Sequence, residues 1–219
     1  MQPKHLALVL LVMVLYGSAY PVGKIGTLDA PPMFLAAMRV LCVFLFFLPF
    51  FQFKLPPSRL FLPLLGFSLS MGVCTYAFMY YALSFTSLVA PIVIGAQLAI
   101  PFGLILSLIF LNEKVSFFKW ILILTSFIGI VVIAYDPAFI DERIALIFCI
   151  LMAFFYATAN MMARYLNEID TSVLNGWCNF FAFFPLLIGS IFLNGNTLFI
   201  IIVLFLSTIL VILHTSFIA

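Results

Sequence analysis

At 219 residues, 67% hydrophobic and only 7% charged, with 28 phenylalanines, the chain has too few ionisable side chains to cover a water-soluble surface. The same composition excludes a disordered chain, which needs low hydrophobicity and high net charge, and it leaves no polar stretch for a separate soluble domain of about 100 residues. The net charge of +2 comes without a basic run, which excludes nucleic acid as a partner.

Apolar runs read against their polar punctuation predict an all-α polytopic membrane protein of about eight transmembrane helices, each close to the roughly 20 residues a span takes. The expected spans are residues 6–26, 32–53, 60–83, 86–111, 117–135, 144–164, 172–193 and 197–218. Turn chemistry separates them, as at Asp29-Ala30-Pro31-Pro32, Pro56-Pro57-Ser58 and Asn194-Gly195-Asn196. Apolarity is continuous along each run instead of alternating, which argues against a β-barrel.

In the first span Tyr16, Tyr20 and Lys24 recur every four residues and share a helix face. Polar groups persist in hydrocarbon where they meet partners or line a wet cavity. Tyr16 and Tyr20 are therefore expected to bind substrate, against the alternative that Tyr16 packs through its ring. Lys24 is a charged cavity residue or an interfacial anchor. Lys4 and His5 ahead of an apolar run that reaches Gly17-Ser18-Ala19 also fit a cleaved signal peptide.

In the second span Arg39 lies seven residues after Pro32, about 10 Å deep at 1.5 Å per residue. Snorkelling back to the interface is its expected fate. A pair with Asp29 comes next, and contact with substrate is the least favoured. Tyr76 and Tyr80 in the third span form another i, i+4 pair and are candidate substrate residues. Gly66 with Ser70, and Ser68 with Gly72, follow the small-xxx-small spacing that lets helices approach closely.

The fourth span carries Pro91 and Pro101, each expected to kink it. Gln97, one turn before Pro101, is a candidate substrate residue or a helix–helix hydrogen-bonding group. In the sixth span Tyr156, Asn160 and Arg164 repeat the four-residue spacing. Tyr156 and Asn160 are expected to bind substrate, and Arg164 to line the cavity or anchor at the interface. Cys42, Cys74, Cys149 and Cys178 all fall inside apolar runs, without metal-ligand spacing, and read as small apolar side chains.

All seven acidic residues lie in loops or at span edges, so no intramembrane carboxylate is available for proton coupling. His214 is the one histidine within an expected span, read as a lone hydrogen-bonded residue. Metalloprotease, nucleophile-elbow and Walker sequences are absent, so the chain is not expected to be an enzyme, to bind a metal or to use a cofactor. With Arg39 set aside as lying within a span, the basic residues divide six (Lys4, Lys54, Arg59, Lys114, Lys119, Arg164) to two (Lys24, Arg143) between the two membrane faces, which places the amino terminus in the cytoplasm.

An internal repeat underlies the pattern. Tyr16-Gly17-Ser18-Ala19-Tyr20, ending at Lys24, aligns with Tyr156-Ala157-Thr158-Ala159-Asn160, ending at Arg164, at an offset of 140. The expected organisation is a five-helix repeat over residues 1–140 and a partial, three-helix second copy over residues 141–219. The copies run in opposite directions, as in the inverted repeats of secondary transporters. Since the partner of the first helix lies mid-chain, the repeat argues against a signal peptide.

With these residues in place the sequence resembles the drug/metabolite transporter superfamily, EamA type. Tyr16-Gly17-Ser18 stands where an aromatic-Gly signature is usual, and Pro32, Ala36, Ala37 and Arg39 fit the second helix. Ala82-Leu83, Thr86-Ser87, Pro101 and Glu113 fit the third and fourth, and Trp120 and Gly129 the fifth. The resemblance implies ten helices in two inverted halves around a central cavity, and alternating-access transport of small metabolites such as amino-acid-like solutes. Here the counterparts of helices four and five are missing from the second copy, so the chain is expected to be truncated at its carboxyl terminus. A truncated, non-transporting remnant or a structural membrane subunit is the alternative. The partners implied are a small-molecule substrate and the lipid bilayer of the inner cell membrane, with a homodimer as one assembly open to the chain.

Overall fold

The computed structural model describes residues 3–49, 56–111, 116–135 and 142–193. Among the described residues the chain is helical throughout: α1 (Pro3–Asp29), α2 (Pro32–Phe47), α3 (Ser58–Phe67), a π-helical segment (Ser68–Thr75), α4 (Tyr76–Ser84), α5 (Ala90–Ala96), α6 (Ala99–Leu111), α7 (Phe117–Ala134), α8 (Arg143–Tyr165) and α9 (Thr171–Leu193). Five stretches are long and apolar enough to cross a membrane: His5–Asp29, Ser58–Ser84, Ala90–Phe110, Arg143–Tyr165 and Thr171–Phe192. Pro32–Phe47 and Phe117–Gly129 are shorter apolar helices. Seven of the expected spans thus have a helical counterpart; residues 197–218, with His214, lie outside the described residues, as do Glu113, Asp136 and Asp141.

Three elements differ from the sequence expectation. The second helix ends at Phe47, short of the expected end; residues 50–53 of that span lie outside the described residues. The third span is continuous but changes pitch over Ser68–Thr75, where the Thr75 hydroxyl donates to the Ser70 carbonyl, five residues back, at 2.7 Å. In the fourth span Pro91 lies in the first turn of α5, where no intrahelical donor is required of it, so the kink expected there does not form. The break falls at Gln97-Leu98, between α5 and α6. Proline clashes with the carbonyl four residues earlier, and for Pro101 that carbonyl belongs to Gln97. It is turned to a shorter-range bond from the Ile100 amide at 3.0 Å.

α2 packs most extensively on α9, with Leu35, Ala36, Ala37 and Val40 fully buried. α8 packs on α4, on α6 and on the π-helical segment. α1 and α7 lie at the periphery. On α7, Phe117, Phe118, Leu124 and Val132 are all exposed, as suits a lipid-facing surface, since lipid tails are as apolar as leucine. Rings of α4 and α8 stack along their seam, with Phe85 nearly parallel to Phe148 (10°, centroids 5.8 Å apart).

Both small-residue pairs of the third span face neighbouring helices. Ser68 donates to the Cys178 carbonyl of α9 at 2.6 Å. A methyl added at Gly72 would lie 2.4 Å from the Ala182 Cβ and 3.4 Å from the Cys178 carbonyl oxygen. Neither neighbour is a flexible side-chain end, so only glycine fits.

Polar contacts fix the two ends of the bundle. At one end Glu142, just before α8, accepts from the Thr86 hydroxyl at 2.5 Å and the Ser87 amide at 2.7 Å, and Lys24 donates to the Leu83 carbonyl at 3.0 Å. At the other, Arg59 opening α3 pairs with Glu168 in the turn between α8 and α9. The carboxyl end of α1 and the amino end of α8 therefore share one end of the bundle, and the two helices run in opposite directions. Partial desolvation raises the Glu142 pKa, but the hydrogen bonds from Ser87 and Thr86, aided by Lys24, outweigh it and hold the carboxyl below its ordinary value.

Two outcomes follow from these contacts. Gly72→Ala should lower stability by roughly 1–3 kcal/mol, the usual effect of overpacking, read as the unfolding midpoint in detergent; adding Ala182→Gly should recover most of the loss. An unchanged midpoint in the single variant would contradict the close approach. The Glu142 carboxylate should hold the loop at neutral pH and release it as pH falls through its depressed pKa, because the favoured form is the ionised one. In hydrogen exchange the Ser87 protection factor should drop with acidification, and Glu142→Gln should show low protection already at pH 7.

Candidate functional site

A cavity of about 320 Å³ opens among α1, α2, the π-helical segment, α4, the α5–α6 break and α8. This is near the lower end of the range for small-molecule sites, about 300–1,000 Å³. Tyr16, Tyr20, Arg39, Thr75, Tyr76 and Tyr156 supply polar groups to its wall from positions near the middle of their helices or spans, hence close to mid-membrane. Gln97 joins them from the break, where its exposed side chain stands at the open side. Apolar wall comes chiefly from Met13, Met71, Met79 and Met152, flexible side chains that adapt to varied shapes.

Local structure explains the convergence. An ideal helix would carry Thr75 and Tyr76 to successive positions 100° apart; the wider π-helical turns ending at Thr75 let both reach the same cavity. The break at Gln97-Leu98 similarly turns Ala96, Gln97, Ala99 and Ile100 together onto the wall. Tyr16 and Tyr20 meet edge to face, at 87° with centroids 6.3 Å apart.

Arg39 does not snorkel. It is 5% exposed, and its guanidinium carbon lies 4.2 Å from the Tyr76 ring centroid, a cation–π geometry. One terminal nitrogen faces the Met79 sulfur at 3.9 Å, the Tyr80 side chain hydrogen-bonds the guanidinium, and Tyr16 is an electrostatic neighbour. These aromatic and sulfur contacts also stand in place of the alternative pair with Asp29, which is exposed at the end of α1. Nε is buried with no hydrogen-bond partner. The depth of Arg39 was readable from its position in the span, but the aromatic cage that holds it at that depth was not.

The remaining expected residues divide. Tyr80 is buried behind the wall, adjoining Arg39, and is not part of the lining. Asn160 is exposed and one turn beyond Tyr156, outside the lining although it contacts the Tyr156 hydroxyl. Lys24 is engaged at the Leu83 carbonyl and Arg164 is exposed at the last turn of α8; neither lines the cavity. Sequence reasoning missed Thr75 and the four methionines. A threonine in an apolar run carries no distinctive signal, but its place next to Tyr76 could have marked it.

The wall presents hydroxyl, amide and guanidinium groups against thioethers, and no acidic residue contributes to it among the described residues. Such a surface is chemically suited to a small molecule that is polar at one end and apolar at the other. A family model described as the EamA-like transporter family matches residues 4–135, more than half of the chain. No curated protein matches it.

Proposed function

The chain belongs to the EamA-like transporter family, and from that premise we propose that it is a secondary transporter carrying small organic metabolites, amino-acid-like solutes among them, across the cytoplasmic membrane by alternating access. The observation that carries this reading is the placement of six polar side chains around one cavity near mid-membrane, where polar groups need a partner or a wet space. Tyr16 of α1 and Tyr156 of α8, from helices running in opposite directions, face the same cavity. We read them as equivalent positions of two inverted repeats, residues 1–140 and 141–219, that rock about the site. The Gln97-Leu98 break supplies a place for backbone angles to change. In this reading the Arg59–Glu168 end faces the cytoplasm and the Glu142 end faces outward.

Counterflow tests the proposal. Vesicles containing the purified chain are loaded with a mixture of unlabelled amino acids, and entry of each labelled amino acid is followed. Saturable entry of at least one, abolished when the unlabelled pool is omitted, is expected. Gln97→Ala and Tyr156→Leu should slow that entry at least about tenfold, the scale of one lost hydrogen bond to a buried group, while Ser126→Ala on the exposed face of α7 should leave it unchanged. No counterflow with any amino acid would contradict the amino-acid-like substrate class.

A further inference from the structure

A buried guanidinium in hydrocarbon is costly unless its charge is compensated. Around Arg39 the compensation is incomplete. The Tyr76 ring covers one face of the guanidinium, and the Met79 sulfur is a weak acceptor for one terminal nitrogen. The Tyr80 side chain adds one neutral hydrogen-bond partner, and Nε has none. Among the described residues no carboxylate lines the cavity, although Arg39 is part of its wall. The chain thus holds a positive charge near mid-membrane, with neutral partners and no carboxylate on the wall among the described residues, beside a cavity sized for a small molecule.

We propose that Arg39 anchors a carboxylate group of the transported solute, and that the cavity selects small organic anions with a short apolar tail without requiring an amine. A carboxylate matches the planar fork of arginine and accepts two parallel, charge-assisted hydrogen bonds. The Tyr20 and Tyr156 side chains stand on the same wall to meet further polar atoms, and Met71 and Met152 accept an aliphatic tail. An ammonium group finds no anionic partner there, so a zwitterion is bound through its carboxylate and a carboxyl-blocked analogue is rejected. A second consequence concerns the transport cycle. An occupied cavity closes over a neutral ion pair, whereas an empty one closes over an uncompensated cation, so exchange of solutes should outpace one-way movement.

This inference rests on the transport reading, and its test is a binding measurement that needs no transport cycle. The full chain in detergent is dialysed against labelled 4-methylpentanoate, and leucine, leucinamide and 3-methylbutylamine are used as competitors. Saturable binding is expected, with leucine competing and the two carboxyl-free compounds at least tenfold weaker. Arg39→Lys, checked as monodisperse, should weaken 4-methylpentanoate binding at least tenfold. Should Arg39→Lys not fold, the competitor series on the unaltered chain decides alone. Absence of saturable binding, equal competition by leucinamide, or an unaltered affinity in folded Arg39→Lys would each overturn the proposal. Carboxylate-selective binding without counterflow would overturn the transport reading and leave the anion site standing. Counterflow without carboxylate selectivity would do the reverse.

Discussion

The guanidinium of Arg39 stacked on Tyr76 is the contact on which the arrangement depends, because it keeps a full charge near mid-membrane with no carboxylate on the cavity wall among the described residues. Arginine tolerates this better than lysine. Its charge is delocalised and weakly hydrated, and its planar face is matched to an aromatic ring. The surrounding tyrosines add hydroxyl dipoles and ring faces while keeping water-like polarity local to the cavity. Tyr16, Tyr20, Tyr76 and Tyr156 thus make a charged centre tolerable in hydrocarbon and, in the transport reading we propose, offer a solute polar groups.

Two departures from regular helix bring these groups together. The π-helical segment ends where Thr75 and Tyr76 both turn to the cavity, and its Gly72 lets the third span press against α9 closely enough for Ser68 to reach the Cys178 carbonyl. The Gln97-Leu98 break comes from Pro101 one turn later, and it exposes an amide side chain at the cavity's open side. In a bilayer such irregular backbone persists only where protein or a wet cavity satisfies it. In the alternating-access cycle we propose, the same two places are where the helices change shape.

Much of this was legible in the amino-acid sequence, and the limits have physical causes. Span positions follow from runs of apolar residues, and seven of them reappear as helices. The tyrosine spacing at 16 and 20, and the alignment of Tyr16 with Tyr156, pointed to residues that share one cavity. Gln97 was marked by its distance from Pro101. What failed depended on three-dimensional company. Arg39 lay shallow enough to snorkel on length alone, yet its neighbours hold it inward. Asn160 kept the helical spacing of Tyr156, but the cavity stops before the next turn. A π-helical pitch has no residue code of its own, so Thr75 stayed hidden among small residues.

The central claim is that the cavity is electropositive because of Arg39. It is measured most directly by thiol labelling of Gln97→Cys, in a background with Cys42, Cys74, Cys149 and Cys178 replaced by alanine. Rates are compared for a sulfonate-bearing and a trimethylammonium-bearing thiosulfonate, each normalised to its rate with a free thiol in solution. A fixed positive charge beside the site predicts that the anionic reagent reacts faster, with the preference lost in Arg39→Gln. Faster reaction of the cationic reagent in the unaltered Arg39 background would contradict the account.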